Sequence, residues 1–254
     1  MAPYTAEEDI RYFFGWFRQR EANARHLLLS PAPVVTKYAS AKFEPDVHVL
    51  IAAGLDSLAS YWQPTYRPDL SKAPHGRRMG EFLVTHADAD IFSRVSGPRL
   101  RARAAKLLSP DAIALIRKLV GTQETTGTVR HYFDDLPLDS LATNPQLTQL
   151  GATRDWLLPS RFGEILYKDY RCGWVHDLRH PEELAYGDLG IGRSTPVYEN
   201  MSVMREGQWR KTHRIFFPTV FLLDTYARAV ESFERDCLRD RIDPRDVKSR
   251  RQTY

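Results

Sequence analysis

Residues 47 to 63 constrain the fold more than any other segment of the chain. They read VHVLIAAGLDSLASYWQ and are apolar on nearly every side of a helix. Such a helix has to be covered by other elements. We therefore predict a buried central helix that follows a cap at Asp46 and ends at Pro64 and Pro68. Asp56 interrupts the apolar run, and a buried carboxylate normally needs a partner.

Two amphipathic segments can cover this central helix. Thr5 and Glu8 have the spacing of a capping box and predict a helix from Ala6 to Leu29. A second helix is predicted from Phe217 to Arg239, with Pro218 in an early position. Apolar side chains recur at helical spacing in both segments. Trp16 and Trp62 are expected in the core, and Asp224 and Arg228 are expected to form an exposed pair one turn apart.

The rest of the chain has weaker patterns. Short helices are predicted at 76–86, 99–107 and 109–120, and loop with short helical pieces at 121–158. Glycines and β-formers between 185 and 203 favour short strands or a hairpin. The polar tail from 243 to 254 is expected to fray. These patterns predict a mainly α fold, an antiparallel helical bundle with an irregular insertion and a small β excursion.

The composition fits one soluble domain spanning residues 1–254. The chain has 254 residues, of which 43% are hydrophobic and 27% charged. Two cysteines, Cys172 and Cys237, are too few for a zinc site or a disulfide framework, so no metal and no cofactor are predicted. The start is acidic without an apolar signal region, and the longest apolar run, at 215–223, is too short to cross a membrane. We expect a cytoplasmic protein that does not associate with a membrane.

Residues 65–120 form the basic segment, with eleven Lys or Arg side chains against five Asp or Glu, an excess of six positive charges. A basic patch is typical of nucleic-acid binding, and Arg101 and Arg103 are the candidate contacts. A charge run of this kind is also typical of a solvated face, and both interpretations stay open.

The densest group of reactive side chains lies in a helix predicted to begin near Ser160. Arg171 and His176 occur five positions apart there, roughly 140° around an ideal helix axis. Asp169 lies on the same stripe as His176 and could orient it. RNA cleavage without a metal needs proton transfer, which histidine performs near neutral pH, and a cation for the charge on phosphorus, which arginine supplies. The same residues could instead be the polar end of a core helix.

The pattern Arg171-x4-His176 late in a helix resembles the Arg-x4–6-His motif of the HEPN superfamily of ribonucleases. The surrounding Leu-Tyr-x-x-Tyr-Arg-Cys-Gly-x-Val-His is similar to a variant in bacterial HEPN-like proteins. The resemblance implies a helical homodimer with a composite site in which Arg171 and His176 are catalytic. Many family members act in toxin–antitoxin or phage-defence systems, so RNA and an antitoxin or defence protein are the implied partners. Residues 64–155 lie outside the resemblance and would form an insertion or irregular helical extension.

Three functions are consistent with the sequence. The first is a metal-independent endoribonuclease of HEPN type that leaves a 2′,3′-cyclic phosphate. The second is a catalytically inactive HEPN-like module that dimerises or binds RNA or protein. The third is a helical bundle that binds nucleic acid through the basic segment.

Overall fold

A computed structural model describes residues 5–30, 44–120, 129–131, 135–173, 194–205 and 208–252. The fold is mainly α, with a few strands, as the sequence predicts. The helices are α1 Ala6–Leu29, α2 Glu44–Tyr66, α3 His75–His86, α4 Ala89–Phe92, α5 Gly97–Leu107, α6 Pro110–Val120, α7 Leu138–Ala142, α8 Pro145–Gln149, α9 Arg154–Leu157, α10 Phe162–Ile165, α11 Thr219–Asp240 and α12 Pro244–Gln252. Short 3-10 helices span Pro68–Lys72 and Leu158–Ser160, and α10 continues directly into a π-helix, Leu166–Cys172.

The strands are β1 Arg94–Val95, β2 Val129–His131, β3 Leu136–Pro137, β4 Val197–Arg205 and β5 Gln208–Phe216. One sheet pairs β1 with β3, and the other has the order β2-β4-β5. In the β4–β5 hairpin Val197 lies opposite Phe216, and Arg205 lies opposite Gln208. The hairpin is thus longer and later in the chain than the predicted β excursion, whose first part, 185–193, lies outside the described residues.

The central helix α2 is present, and it contacts α1, α3, α11, α12 and the π-helix. Its predicted ends were wrong. The helix starts at Glu44, so Asp46 lies within its first turn, and Pro64 lies inside it. A proline near a helix end removes only one backbone donor there. The last turn still closes, because the Arg67 N–H donates to the Gln63 carbonyl at 2.9 Å.

Helix α1 begins with the predicted capping box. The Thr5 N–H donates to a Glu8 carboxylate oxygen at 2.7 Å, and the Glu8 N–H donates to the Thr5 hydroxyl at 3.3 Å. Phe14 and Trp62 are buried in the core. Trp16 is 65% exposed, so its predicted core position was wrong. It lies outside the buried stripe of α1.

The C-terminal part of the chain departs from two predictions. Asp224 pairs with Arg25 at 3.0 Å, and Arg228 lies 3.8 Å from Asp88, so the two do not pair with each other. The tail is helical as α12. Asp243 organises its start by accepting from the Arg245 N–H at 2.8 Å, and the helix packs against α2. Tertiary packing of this kind is what stabilises most short helices.

Two apolar clusters hold the fold together. The larger one is built from α1, α2, α3, α10, the π-helix and α11, and its biggest members are aromatic. The second is built mainly from α5 to α9. The π-helix lies at the edge of the larger cluster, next to α2 and α3, and this position exposes one side of it. Among the described residues no helix is long and apolar enough to cross a membrane.

Candidate functional site

The segment that carries Arg171 is a π-helix of seven residues, where an α-helix is expected from the sequence. Hydrogen bonds from i to i+5 widen a helix, and π-helical turns occur often at functional sites. Tyr170 fixes the buried side of this turn. Its hydroxyl accepts from the Phe217 N–H at 2.9 Å, and burial raises the pKa of Tyr170, so the hydroxyl stays protonated. The turn is therefore anchored on one side and open on the other.

Arg171 pairs with Asp56 on α2. Its Nε and Nη2 lie 3.0 and 2.9 Å from the same carboxylate oxygen, Oδ2. The guanidinium also lies over the Tyr167 ring, 5.6 Å from its centre, in cation–π geometry. The carboxylate that interrupts the apolar run of α2 thus has a partner, as expected. The pair is about one-fifth exposed on each side, so solvent and ligands reach it.

Further cations gather around Asp56. The Lys248 ammonium, on α12, donates to the Ser60 hydroxyl at 3.0 Å, one turn along α2 from Asp56. Burial lowers the pKa of Lys248, the charge of Arg78 lowers it further, and Asp56 opposes both. Arg171 contacts Asp56 directly, and Lys248 lies one turn along α2, where the charges of Asp56 and Arg78 act on it. Partly exposed cationic side chains of this kind can attract an anionic ligand.

A cleft adjoins Arg171 on the far side of Tyr167. It has a volume of 470 Å³, and Leu158, Pro159 and Tyr167 are among the residues that line it. Volumes of this size suit small-molecule or single-base ligands. Arg77, Lys168, Asp155 and Glu164 also line it, so side chains of both charges border an apolar surface. Burial raises the pKa of Tyr167, and its hydroxyl therefore remains a hydrogen-bond donor.

A buried arginine supports the base of the same segment. Arg161 binds Glu164 with two hydrogen bonds of 2.6 and 2.7 Å, and its Nη2 lies 3.1 Å from Glu81. Glu164 therefore points into the interior, and its i,i+4 spacing with Lys168 does not make a surface ion pair. An added Cβ on Gly163 would lie 2.6 Å from the Gly80 Cα, so only glycines allow this close helix contact.

The predicted site residues have different surroundings. Asp169 is buried and pairs with Arg99 of α5. His176 lies outside the described residues, so its pairing with Arg171 and its orientation by Asp169 stay predictions. Gly187 and Gly192 lie outside them as well.

Several arginines of the basic segment 65–120 already contact other side chains of the protein. Four of its arginines pair with carboxylates, namely Arg67 with Asp69, Arg77 with Asp155, Arg94 with Asp90, and Arg99 with Asp169. The Arg103 guanidinium lies over Trp156, 5.3 Å from the ring centre. Arg101, two positions earlier on α5, is half-buried. Much of this charge therefore serves to join α3, α5 and α9 to the rest of the fold.

Sequence reasoning missed Tyr167 and Asp56 as neighbours of Arg171. The one available signal was Asp56, whose charge in an apolar run requires a cation from elsewhere. Asp135 accepts from the Gly97 N–H at 3.0 Å and from the Tyr198 hydroxyl. Among the described residues no group of three or more His, Cys, Asp or Glu side chains could hold a metal ion.

Comparison with protein-family models, with curated proteins and with solved structures finds no match to this chain.

Proposed function

We propose that this protein is a metal-independent endoribonuclease of HEPN type, acting as a homodimer in a toxin or phage-defence role. The observation that carries the proposal is the partly exposed Arg171, whose guanidinium lies over Tyr167, a residue that lines a cleft of 470 Å³. Such a group attracts a phosphodiester, and the apolar cleft offers room for a neighbouring base.

The reaction assigns one role to each predicted catalytic residue. His176 removes the proton from the 2′-hydroxyl of RNA, and the 2′-oxygen attacks phosphorus. The bond from phosphorus to the 5′-oxygen breaks, and that oxygen takes a proton from the His176 of the second copy. The products are a 2′,3′-cyclic phosphate and a 5′-hydroxyl. Arg171 binds the phosphoryl oxygens as negative charge grows on them.

Asp56 has a defined part in this scheme. It holds Arg171 over Tyr167 in the absence of RNA, which limits the side-chain entropy that binding would cost. A phosphate then competes for the guanidinium, and Arg78 and Lys248 compensate Asp56 when Arg171 turns to the ligand.

The second candidate is a catalytically inactive HEPN-like module that binds RNA or a protein. The Asp56–Arg171 pair favours it, because both Nε and Nη2 of Arg171 already have an acceptor. An arginine so engaged contributes to the fold without any ligand.

End-labelled single-stranded RNA incubated with the protein in EDTA tests the two candidates. The ribonuclease proposal expects cleavage to a cyclic phosphate, lost by at least about a hundredfold in Arg171→Ala and in His176→Ala. Arg235→Ala is the matched control, since this arginine is exposed on α11 and pairs only locally with Glu231.

Circular dichroism and sedimentation velocity on the same variants separate lost chemistry from lost folding or dimerisation. Cleavage that persists in both variants contradicts the assignment of the two residues. A parent protein that binds RNA without cleaving it, with binding unchanged by His176→Ala, supports the inactive module instead.

A further inference from the structure

A second cavity, of 340 Å³, lies between α1, α2 and α12. Phe13, Phe17 and Tyr61 line it with aromatic surface, and Trp16 lines it from the exposed side of α1. The proposed ribonuclease has no use for this cavity. It lies in the size range of small-molecule sites.

Arg20 gives the cavity its charge. The other three arginines of α1 have carboxylate partners: Arg11 pairs with Glu7, Arg18 with Glu234, and Arg25 with Glu21 and Asp224. Among the described residues Arg20 has no hydrogen-bonding or ion-pair partner, although it is half-buried and lines the cavity. A half-buried guanidinium keeps its charge, so its donors can receive an anion.

The second arginine at the cavity is already neutralised. Arg245 binds Asp243 through Nε at 3.0 Å to each carboxylate oxygen and through Nη2, and it lies 3.7 Å from Asp9. It lies over Phe13, 5.9 Å from the ring centre, and so closes one end of the cavity. Arg20 is thus the arginine of this cavity whose guanidinium no carboxylate of the described residues engages.

Exposed aromatic side chains add a flat apolar surface next to Arg20. Trp16 is 65% exposed and Tyr12, in edge contact with it, is 59% exposed. Large aromatic rings beside a cavity offer contact area at low cost in side-chain entropy. One cation and an aromatic wall together select a ligand with a single negative charge and a planar ring.

We propose that this cavity binds a small aromatic monoanion, whose carboxylate pairs with Arg20 and whose ring packs against Trp16 and Tyr61. The carboxylate fits the forked donors of the guanidinium, and the ring removes the Trp16 surface from water. Arg171 is not among the residues that line this cavity.

Isothermal titration calorimetry of the parent protein with naphthoate tests the proposal. The expected Kd is on the order of 100 µM, from the usual range of free energy per ligand atom. Arg20→Gln should weaken binding about tenfold or more, because it removes the charge-assisted hydrogen bonds. Trp16→Ala should weaken it about tenfold through lost ring contact. Naphthamide, which has the ring without the charge, should bind the parent about tenfold more weakly.

Arg11→Gln is the matched control, because Arg11 lies on the same helix but outside the cavity, and naphthoate affinity should not change. Thermal unfolding of each variant confirms that it is folded. Equal affinity for naphthoate and naphthamide, or equal affinity in Arg20→Gln and the parent, overturns the proposal. So does an absence of binding at about 1 mM naphthoate with Trp16-dependent self-association, which would assign this face to a second copy of the chain.

Discussion

Two arginines of one helical segment, Arg161 and Arg171, have opposite surroundings. The Arg161 side chain is 2% exposed, and two carboxylates, Glu164 and Glu81, bind it. Arg171 is 20% exposed, and it pairs with Asp56 on α2. The first arginine belongs to an interior group of ion pairs, and the second is partly open to solvent.

This difference separates a structural arginine from a candidate ligand-binding one. Burial raises the pKa of Glu164, and Arg161 lowers it, so each charge is there to compensate the other. An anionic ligand has no route to Arg161, whose side chain is 2% exposed. Arg171 and Asp56 are about one-fifth exposed, so an anion can reach them.

The largest expected effect on the free energy of unfolding comes from a substitution at the interior Arg161. Arg161→Met should lower the free energy of unfolding by about 3–5 kcal/mol, because it leaves Glu164 and Glu81 charged and without their partner in the interior. Arg171→Met should cost only about 1–2 kcal/mol, since Asp56 can take up water. Urea denaturation of both variants measures the two values. Similar losses in the two variants would refute the distinction between the interior Arg161 and the partly exposed Arg171.

The next effect concerns the pH response of another interior group, His86. Burial among aromatic rings lowers the pKa of His86 to about 4, an effect that nearby Asp236 opposes, and the ring hydrogen-bonds to the Ser232 hydroxyl at 3.1 Å. The His86 side chain of the unfolded chain binds a proton near pH 6.5. The contribution of neutral His86 to the free energy of unfolding is therefore fully present above that pH. It is lost as pH falls from 6.5 to about 4, at a total cost of about 3 kcal/mol.

Unfolding free energies measured between pH 7 and 4 check this sign. His86→Gln should remove most of the decline over that window, and His26→Gln, at an exposed position of α1, should leave it in place. A decline of equal size in His86→Gln would show that other groups cause it.

The smallest expected effect on stability is at the partly exposed pair of Asp56 and Arg171. Asp56→Asn should lower stability by about 1 kcal/mol, because the amide still accepts one hydrogen bond from Arg171. On the proposed function it should also raise RNA affinity and steepen the salt dependence by about one phosphate contact, a slope change of about 0.7 for a single strand. Fluorescence anisotropy across a salt series measures both. Asp69→Asn, on an exposed carboxylate that pairs with Arg67, should change neither.

Several features of the fold could be predicted from the sequence. A local pattern is sufficient where the feature lies within one helix, as for the capping box of α1, the apolar stripe of α11 and the mostly apolar helix α2. The need of Asp56 for a partner was also predictable. The identity of that partner was not, because Arg171 is 115 positions away and no local pattern joins them.

Other features depend on packing that local patterns do not encode. The π-helix at Leu166–Cys172 looks like an ordinary amphipathic helix in sequence, and no local pattern predicts the contact of the Tyr170 hydroxyl with the Phe217 N–H. The polar tail becomes helix α12 because Lys248 and Arg245 find partners on α1 and α2. Trp16 fits the apolar count of α1 but lies on its uncovered side.

The sequence by itself determined that the chain is mainly helical, where its long helices lie, and that one carboxylate would be trapped in an apolar helix, because these follow from periodicity and from the cost of burying charge. Only the tertiary structure decided which arginine is structural and which is accessible. Arg161 and Arg171 lie on one segment, and their difference arises from the helices that pack around each of them.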